Sequence, residues 1–268
     1  MYNKNLKLNN GIEVPQLGLG TWFIDDNQVA STIKEAVKLG YRHFDTAQAY
    51  GNEKGVGEGI RTCGVAREDL FVVSKVAAEH KTYQAAKESI DQTLETMGID
   101  YLDMMIIHSP QPWDKVNQSD DRYVKAIGVS NFKKEDIESL LEVCEIKPMV
   151  NQILLHISNT PLELIDYCNE QGIVIEAYSP IGHGEILNQA SIKEMADKYH
   201  VSVAQLCIRY TLQLGAISLP KTANPDHLKT NSDVDFVISD EDMEILKHFK
   251  QIESYGKSSG FPVYGGKL

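Results

Sequence analysis

Eight short apolar runs recur along this chain, and between most of them apolar residues return at helical spacing. The runs cover residues 16–19, 43–46, 71–75, 103–108, 126–130, 149–152, 174–178 and 216–219. Most are apolar on both faces, as expected of parallel strands covered by helices. Strict alternation of strand and helix leaves two architectures, an open doubly wound sheet or a closed barrel. Eight strands in 268 residues favour the barrel. The expected fold is therefore an α/β (β/α)8 TIM barrel forming one domain over residues 1–268. No linker, low-complexity stretch or break in composition marks a second domain.

The helical stretches carry their own stop signals. Val29, Ile33, Ala36 and Val37 share one face, which Gly40 ends; Ala86, Ile90, Leu94 and Met97 do the same before Gly98. Both glycines suit a left-handed C-terminal cap. Further helices are expected at 134–143, 161–170, 191–199 and 204–214, and a small hairpin over 6–12 with its turn at 9–11. The segment 109–125 breaks the pattern. It holds Pro110, Pro112 and a polar cluster with no apolar stripe, so the fourth helix is expected to be shortened or missing.

Charge narrows the partners. The formal net charge is -12, which opposes binding to phosphate backbones and anionic membranes. No apolar run approaches the roughly 20 residues of a membrane span. The four cysteines are scattered without a CxxC pair, as in a reduced cytoplasmic protein. A monomer acting on a small molecule, with no nucleic acid and no membrane, is the expectation. The eight histidines form no HxH or HExxH, which argues against a metal-dependent hydrolase.

Gly18-Leu19-Gly20-Thr21-Trp22 follows the first main run. A dinucleotide-binding fingerprint would need a third small residue where Phe23 stands. The motif reads better as a strand-to-loop turn at a barrel mouth, with Trp22 facing a pocket.

The strongest signal is positional. Asp45 lies at the C-terminal end of the second run and Tyr50 follows five residues on; Lys75 ends the third run and His108 the fourth. Adjacent parallel strands lie about 4.8 Å apart, so their C-terminal tips cluster at the face where barrels hold catalytic groups. Lys75 leaves an apolar strand and needs a counter-charge, which Asp45 can supply. A lysine cation beside Tyr50 favours the tyrosinate, which suits Tyr50 to protonating a carbonyl oxygen as hydride reaches the carbon. His108 can hydrogen-bond that oxygen and orient the substrate.

At these residues the sequence resembles the aldo-keto reductase family. Residues 40–53 (GYRHFDTAQAYGNE), 126–132 (AIGVSNF), 219–222 (LPKT) and 261–266 (FPVYGG) match the family's successive signatures. The resemblance implies NADPH-dependent reduction of aldehydes or ketones on a barrel without a Rossmann domain, with NADH also possible. It implies that Ser130, Asn131 and Gln152 hold the nicotinamide carboxamide and that Tyr178 stacks on the ring. Ser179, Pro180, Ile181 and Gly182, with His183 and Gly184, would form the loop over the pyrophosphate. Lys221, Thr222 and Asn231 hold the adenosine phosphate and adenine, with Gly20, Thr21 and His227 also at the cofactor. Trp22, Tyr50, His108 and Trp113 would meet the substrate. The chain departs from the family in places: His227 stands where Arg is usual and Thr230 where Glu is, Ser109 follows His108 where Trp is common, and residues 153–156 (ILLH) replace a pattern containing Glu. Arg grips a phosphate bidentately and His does not, so the preference for NADPH is expected to be milder. A second reading stays open, a non-catalytic relative that binds NADPH and serves as a redox-responsive or structural partner.

Overall fold

The computed structural model describes residues 2–80, 82–110 and 124–265. The chain opens with the hairpin β1 (Asn5–Lys7) and β2 (Glu13–Pro15), paired antiparallel. Its turn is closed by Gly11, at φ 88°, a conformation that glycine adopts without strain. Then come β3 (Leu19–Gly20), α1 (Asp26–Lys38), β4 (His43–Asp45), α2 (Glu53–Thr62), β5 (Phe71–Val76) and α3 (Tyr83–Met97). They are followed by β6 (Leu102–Ile107), β7 (Val124–Ser130), α4 (Lys134–Leu141), β8 (Val150–Leu154), α5 (Leu162–Glu170) and β9 (Val174–Tyr178). The rest is α6 (Ala190–Lys198), α7 (Val203–Gln213), β10 (Ile217–Leu219), α8 (Pro225–Ser232) and α9 (Asp240–Lys247).

Strands β3 to β10 form one eight-stranded parallel sheet in sequence order. Parallel bridges Leu17↔Ser218 and Gly20↔Lys221 join its first and last members, which closes it. A doubly wound sheet would reverse its strand order and leave two edges. All eight expected strands are present, and the helices anticipated between them form with ends shifted by a residue or two. Gly40 and Gly98 sit at φ 94° and 64° beyond α1 and α3, as their cap role requires. Three helices were not anticipated: α2, α8 and α9. The expectation of a shortened fourth helix falls on residues that lie almost wholly outside the described ones. Among the described residues no helix is long and apolar enough to cross a membrane.

The barrel interior is filled by β-strand side chains such as Val73, Met104, Ile106, Val150 and Ile217, all buried. A second layer, including Ile33, Val37, Ile90 and Met97, lies between strands and helices. This packing fixes the strand tips, and the tips carry the site.

Candidate active site

The tips of β4, β5 and β6 bring Asp45, Lys75 and His108 together, and a short 3-10 turn, Gln48–Tyr50, adds Tyr50. Gly51 follows at φ 68°, which lets the chain reverse into α2. The turn is pinned from both sides. Gln48 Nε2 donates to the Ser89 carbonyl and Thr93 Oγ1 on α3, while its Oε1 accepts from the Ala77 amide beyond β5. Asn52 donates to the Thr21 and Ile24 carbonyls and accepts from Thr46 Oγ1. Tyr50 therefore stands on a braced segment rather than a free loop.

Lys75 has no solvent exposure. Its ammonium donates to Asp45 Oδ1 at 2.7 Å, the Thr46 carbonyl at 2.8 Å and the Tyr50 hydroxyl at 3.1 Å. All three protons of the cation are thus used. The His108 ring meets the Tyr50 ring edge-on, with centroids 5.6 Å apart. Burial pulls Lys75 down, but Asp45 and then Tyr50 outweigh it and leave its pKa above the ordinary lysine value. Burial raises Tyr50 above the usual phenol range, although Lys75 draws it back in part. Burial and then the Lys75 charge lower His108 to about 3. At neutral pH the cluster holds an ammonium paired to a carboxylate, a protonated phenol and a neutral imidazole. A phenol whose oxygen already accepts from a buried cation can give up its proton to a nearby acceptor, because the cation waits for the anion left behind.

The Tyr50 hydroxyl and His108 open onto a cleft of about 760 Å³. Its wall includes Gly20, Trp22, Asp45, Ser130, Asn131, Gln152, Tyr178, Ser179, Pro180, Ile181, Lys221, Thr222, His227 and Asn231. The structure thus gathers most of the residues singled out in the sequence. Lys75 lies beneath the wall. Thr21 is buried behind it, where its amide and hydroxyl both donate to the Asp45 carbonyl. Gly182 is also off the wall, packed on Ile186 at φ 54°. Trp113 lies outside the described residues.

The wall also takes in Phe23, which the sequence did not place there, together with His183 of the expected pyrophosphate loop and Phe261 and Tyr264 of the closing tail. Trp22 stacks on Phe23 with centroids 4.3 Å apart and lies near-parallel to Tyr264 at 6.3 Å. His183 Nδ1 pairs with Ser258 Oγ at 3.2 Å, and the Tyr264 hydroxyl with Ser179 Oγ at 3.0 Å, so the chain's end is tied to the loop after β9. Phe23 and His183 owe their positions to left-handed backbone, φ 58° and 54°, which no local sequence signal marks. Behind the wall, Glu176 lies wholly buried on β9. A charged residue within Val174-Ile175-Glu176-Ala177-Tyr178 was the available signal for it.

The Aldo/keto reductase family matches residues 16–251. Glyoxal reductase of Bacillus subtilis is 41% identical over 260 residues, covering 94% of each chain. The 9,11-endoperoxide prostaglandin H2 reductase of Trypanosoma cruzi is 36% identical, over 93% of this chain and 92% of that one. Among solved structures, an aldo/keto reductase from Brucella melitensis superposes with a TM-score of 0.84 at 35% identity, over 91% of this chain and 98% of that one. A Bombyx mori aldo-keto reductase in complex with NADP gives 0.86 at 29% identity, over 98% and 99%. The chain belongs to the aldo/keto reductase family, and it is an NAD(P)H-dependent oxidoreductase of that family.

Proposed function

We propose that the protein reduces aldehydes or ketones to alcohols with NADPH, with Tyr50 as the general acid. The observation that carries this is the buried Lys75 ammonium bonded to both Asp45 and the Tyr50 hydroxyl, beside a cleft of about 760 Å³.

The wall fits the cofactor. Tyr178 presents its ring to the cleft while its hydroxyl donates to Asn131 Oδ1 at 2.6 Å, and Asn131 in turn donates to Ser130 Oγ at 3.1 Å. Gln152 Nε2 is engaged by Asp45 Oδ2 at 3.0 Å and Glu176 Oε2 at 2.6 Å, so its carbonyl oxygen is what it offers a carboxamide. At the far end Lys221 is exposed on the cleft and has no acidic partner among the described residues, which suits a phosphate. Bound in this cleft, NADPH supplies the hydride.

The chain's own residues handle the proton. Tyr50 delivers it to the carbonyl oxygen, and Lys75 holds the resulting tyrosinate. Asp45 balances the lysine charge so that it can remain buried. His108, neutral, donates one N–H to the carbonyl oxygen and orients it. Trp22, Phe23, Phe261 and Tyr264 keep water from the reacting end. The similarity to a glyoxal reductase makes small aldehydes the first substrates to try.

Tyr50→Phe tests the assignment. It should bind NADPH nearly as wild type and lose about 10²- to 10⁴-fold in turnover of a generic aldehyde. Near-native turnover would remove Tyr50 as the acid. Absence of NADPH consumption by the wild-type protein across an aldehyde panel, with binding intact, would favour the non-catalytic reading.

A further inference from the structure

Behind Gln152, two buried acceptors face each other with nothing between them. Glu176 on β9 and His43 on β4 both have no solvent exposure. His43 Nδ1 lies 3.1 Å from the Pro15 carbonyl, so this nitrogen carries the ring proton and donates it. His43 Nε2 is then a bare lone pair. It stands 3.5 Å from Glu176 Oε1, and neither atom has a hydrogen-bond partner. The imidazole packs so closely on Gly18 that a side chain there would overlap it, and Phe71 lies edge-on at 5.2 Å between centroids.

The other carboxyl oxygen is committed. Glu176 Oε2 accepts from Gln152 Nε2 at 2.6 Å, and the same amide nitrogen donates to Asp45 Oδ2 at 3.0 Å. Gln152 turned the other way would set its oxygen against the Asp45 carboxylate. Two opposed lone pairs in a dry interior are unfavourable, and one proton between them satisfies both.

We propose that Glu176 is a positioning residue held as the neutral acid, its Oε1–H donated to His43 Nε2, and that this buried proton sets the charge behind the nicotinamide-facing amide of Gln152. The surrounding charges agree. Asp45 shares β4 with His43, Lys75 faces from β5, Asp103 acts on His43 from β6, and Tyr50 feels Glu176 from the turn after β4. Burial and then Asp45 push Glu176 up to about 8, with Gln152 and Lys75 pulling it back. Burial lowers His43 to about 4, against Pro15, Asp45 and Asp103 and together with Lys75. The pair therefore holds its proton on the carboxyl, and the imidazole stays neutral.

The consequence is electrostatic. The nicotinamide ring is neutral in NADPH and cationic in NADP+. With Glu176 protonated, the cleft floor lacks a second anion beside Asp45, which favours the reduced ring and the release of the oxidised one. As pH rises through about 8, Glu176 becomes anionic and the balance moves toward NADP+. This consequence rests on reading the cleft as the nicotinamide site; the proton between Glu176 and His43 does not.

Two measurements on the full chain decide it. In 15N-histidine NMR, His43 should be neutral, protonated at Nδ1, with Nε2 shifted as a hydrogen-bond acceptor until pH passes about 8. An imidazolium, or a proton on Nε2, overturns the proposal. In Glu176→Gln the amide N–H replaces the acid proton, so the acceptor signature should persist and its pH step vanish. Should that variant fail to fold, the wild-type titration still decides the proton. The second measurement is the ratio of Kd for NADP+ to Kd for NADPH, read by quenching of tryptophan fluorescence. Both cofactors carry the same phosphates, so their titration cancels. The ratio should fall several-fold through about pH 8 in wild type and stay flat in Glu176→Gln. An equal slope in both overturns the charge effect. A cleft that binds neither cofactor overturns the reading of the site, while the NMR result still stands or falls alone.

Discussion

His227 lies in the first turn of α8, exposed, on the cleft wall near Lys221. The Asn224 side chain accepts from the Asp226 amide at 2.8 Å and fixes the start of this helix. An arginine at 227 would add a planar, permanently charged fork to the lysine already there. The contact would be solvent-exposed, worth about 1 kcal/mol, or roughly fivefold in Kd. His227→Arg should therefore tighten NADPH about fivefold and leave NADH unchanged, as measured by fluorescence titration. Equal tightening of both would place 227 away from the 2′-phosphate. At this scale the sequence was informative wherever a polar residue interrupted an apolar run at a strand end, as with Asp45, Lys75 and His108. It was silent where position depends on an unusual backbone angle, as with Phe23. Glu176 falls between: it is visible as a charge in an apolar strand, but its partner His43 is more than a hundred positions earlier in the chain.

At the scale of elements, α2 is the instructive case. Glu53-Lys54-Gly55-Val56-Gly57-Glu58-Gly59 has three glycines, each costing about 1 kcal/mol in a helix interior relative to alanine, so propensity argues against a helix there. Tertiary contact overrides it. A Cβ at Gly55 would overlap the Asp26 carbonyl, one at Gly57 would overlap the backbone of Met97, and one at Gly59 would press on Ile33. The glycines let α2 lie directly against α1 and the end of α3, and Asp26 Oδ1 accepts from the Gly55 amide at 2.6 Å. Gly57→Ala decides between the two effects. Its helix propensity would gain about 1 kcal/mol, while forced overlap costs about 1–3 kcal/mol or more. The overlap is with backbone, which cannot swing aside, so sterics should win. Chemical denaturation should show a net loss of about 1–2 kcal/mol, with a thermal midpoint several degrees lower. A variant as stable as wild type would mean that the helices can slide apart at little cost. The strands were easier to read because their apolar runs are both short and buried on two faces, whereas α8 and α9 carry too few apolar residues to show a stripe.

For the whole molecule, the count of eight runs pointed to closure, but the seam itself could not be read, because β3 is only Leu19–Gly20. The seam is held by backbone bonds from Gly18 to the Ser218 carbonyl at 3.0 Å, from Gly20 to the Pro220 carbonyl at 3.2 Å, and from Ser218 to the Gln16 carbonyl at 2.8 Å. Gly20 and Lys221 face the cleft from opposite sides of this seam. A ligand that touches both strands ties the barrel where its pairing is shortest, and any ligand that binds only the folded chain stabilises it by mass action. At about 100 times Kd the gain is about 2.7 kcal/mol. Large single domains gain roughly 2–4 °C per kcal/mol, so NADPH at that excess should raise the melting temperature by about 5–10 °C. At the same concentration NADH should raise it less, because it lacks the phosphate that Lys221 is read to hold. Removing the cation by Lys221→Met should bring the two shifts together by lowering the NADPH value, not by raising the NADH one. Thermal scans of both proteins with both cofactors check this directly. Equal shifts in the wild-type chain would show that Lys221 does not select the phosphorylated cofactor. A larger NADPH shift that survives Lys221→Met would move the selection to His227 and Asn231 on α8.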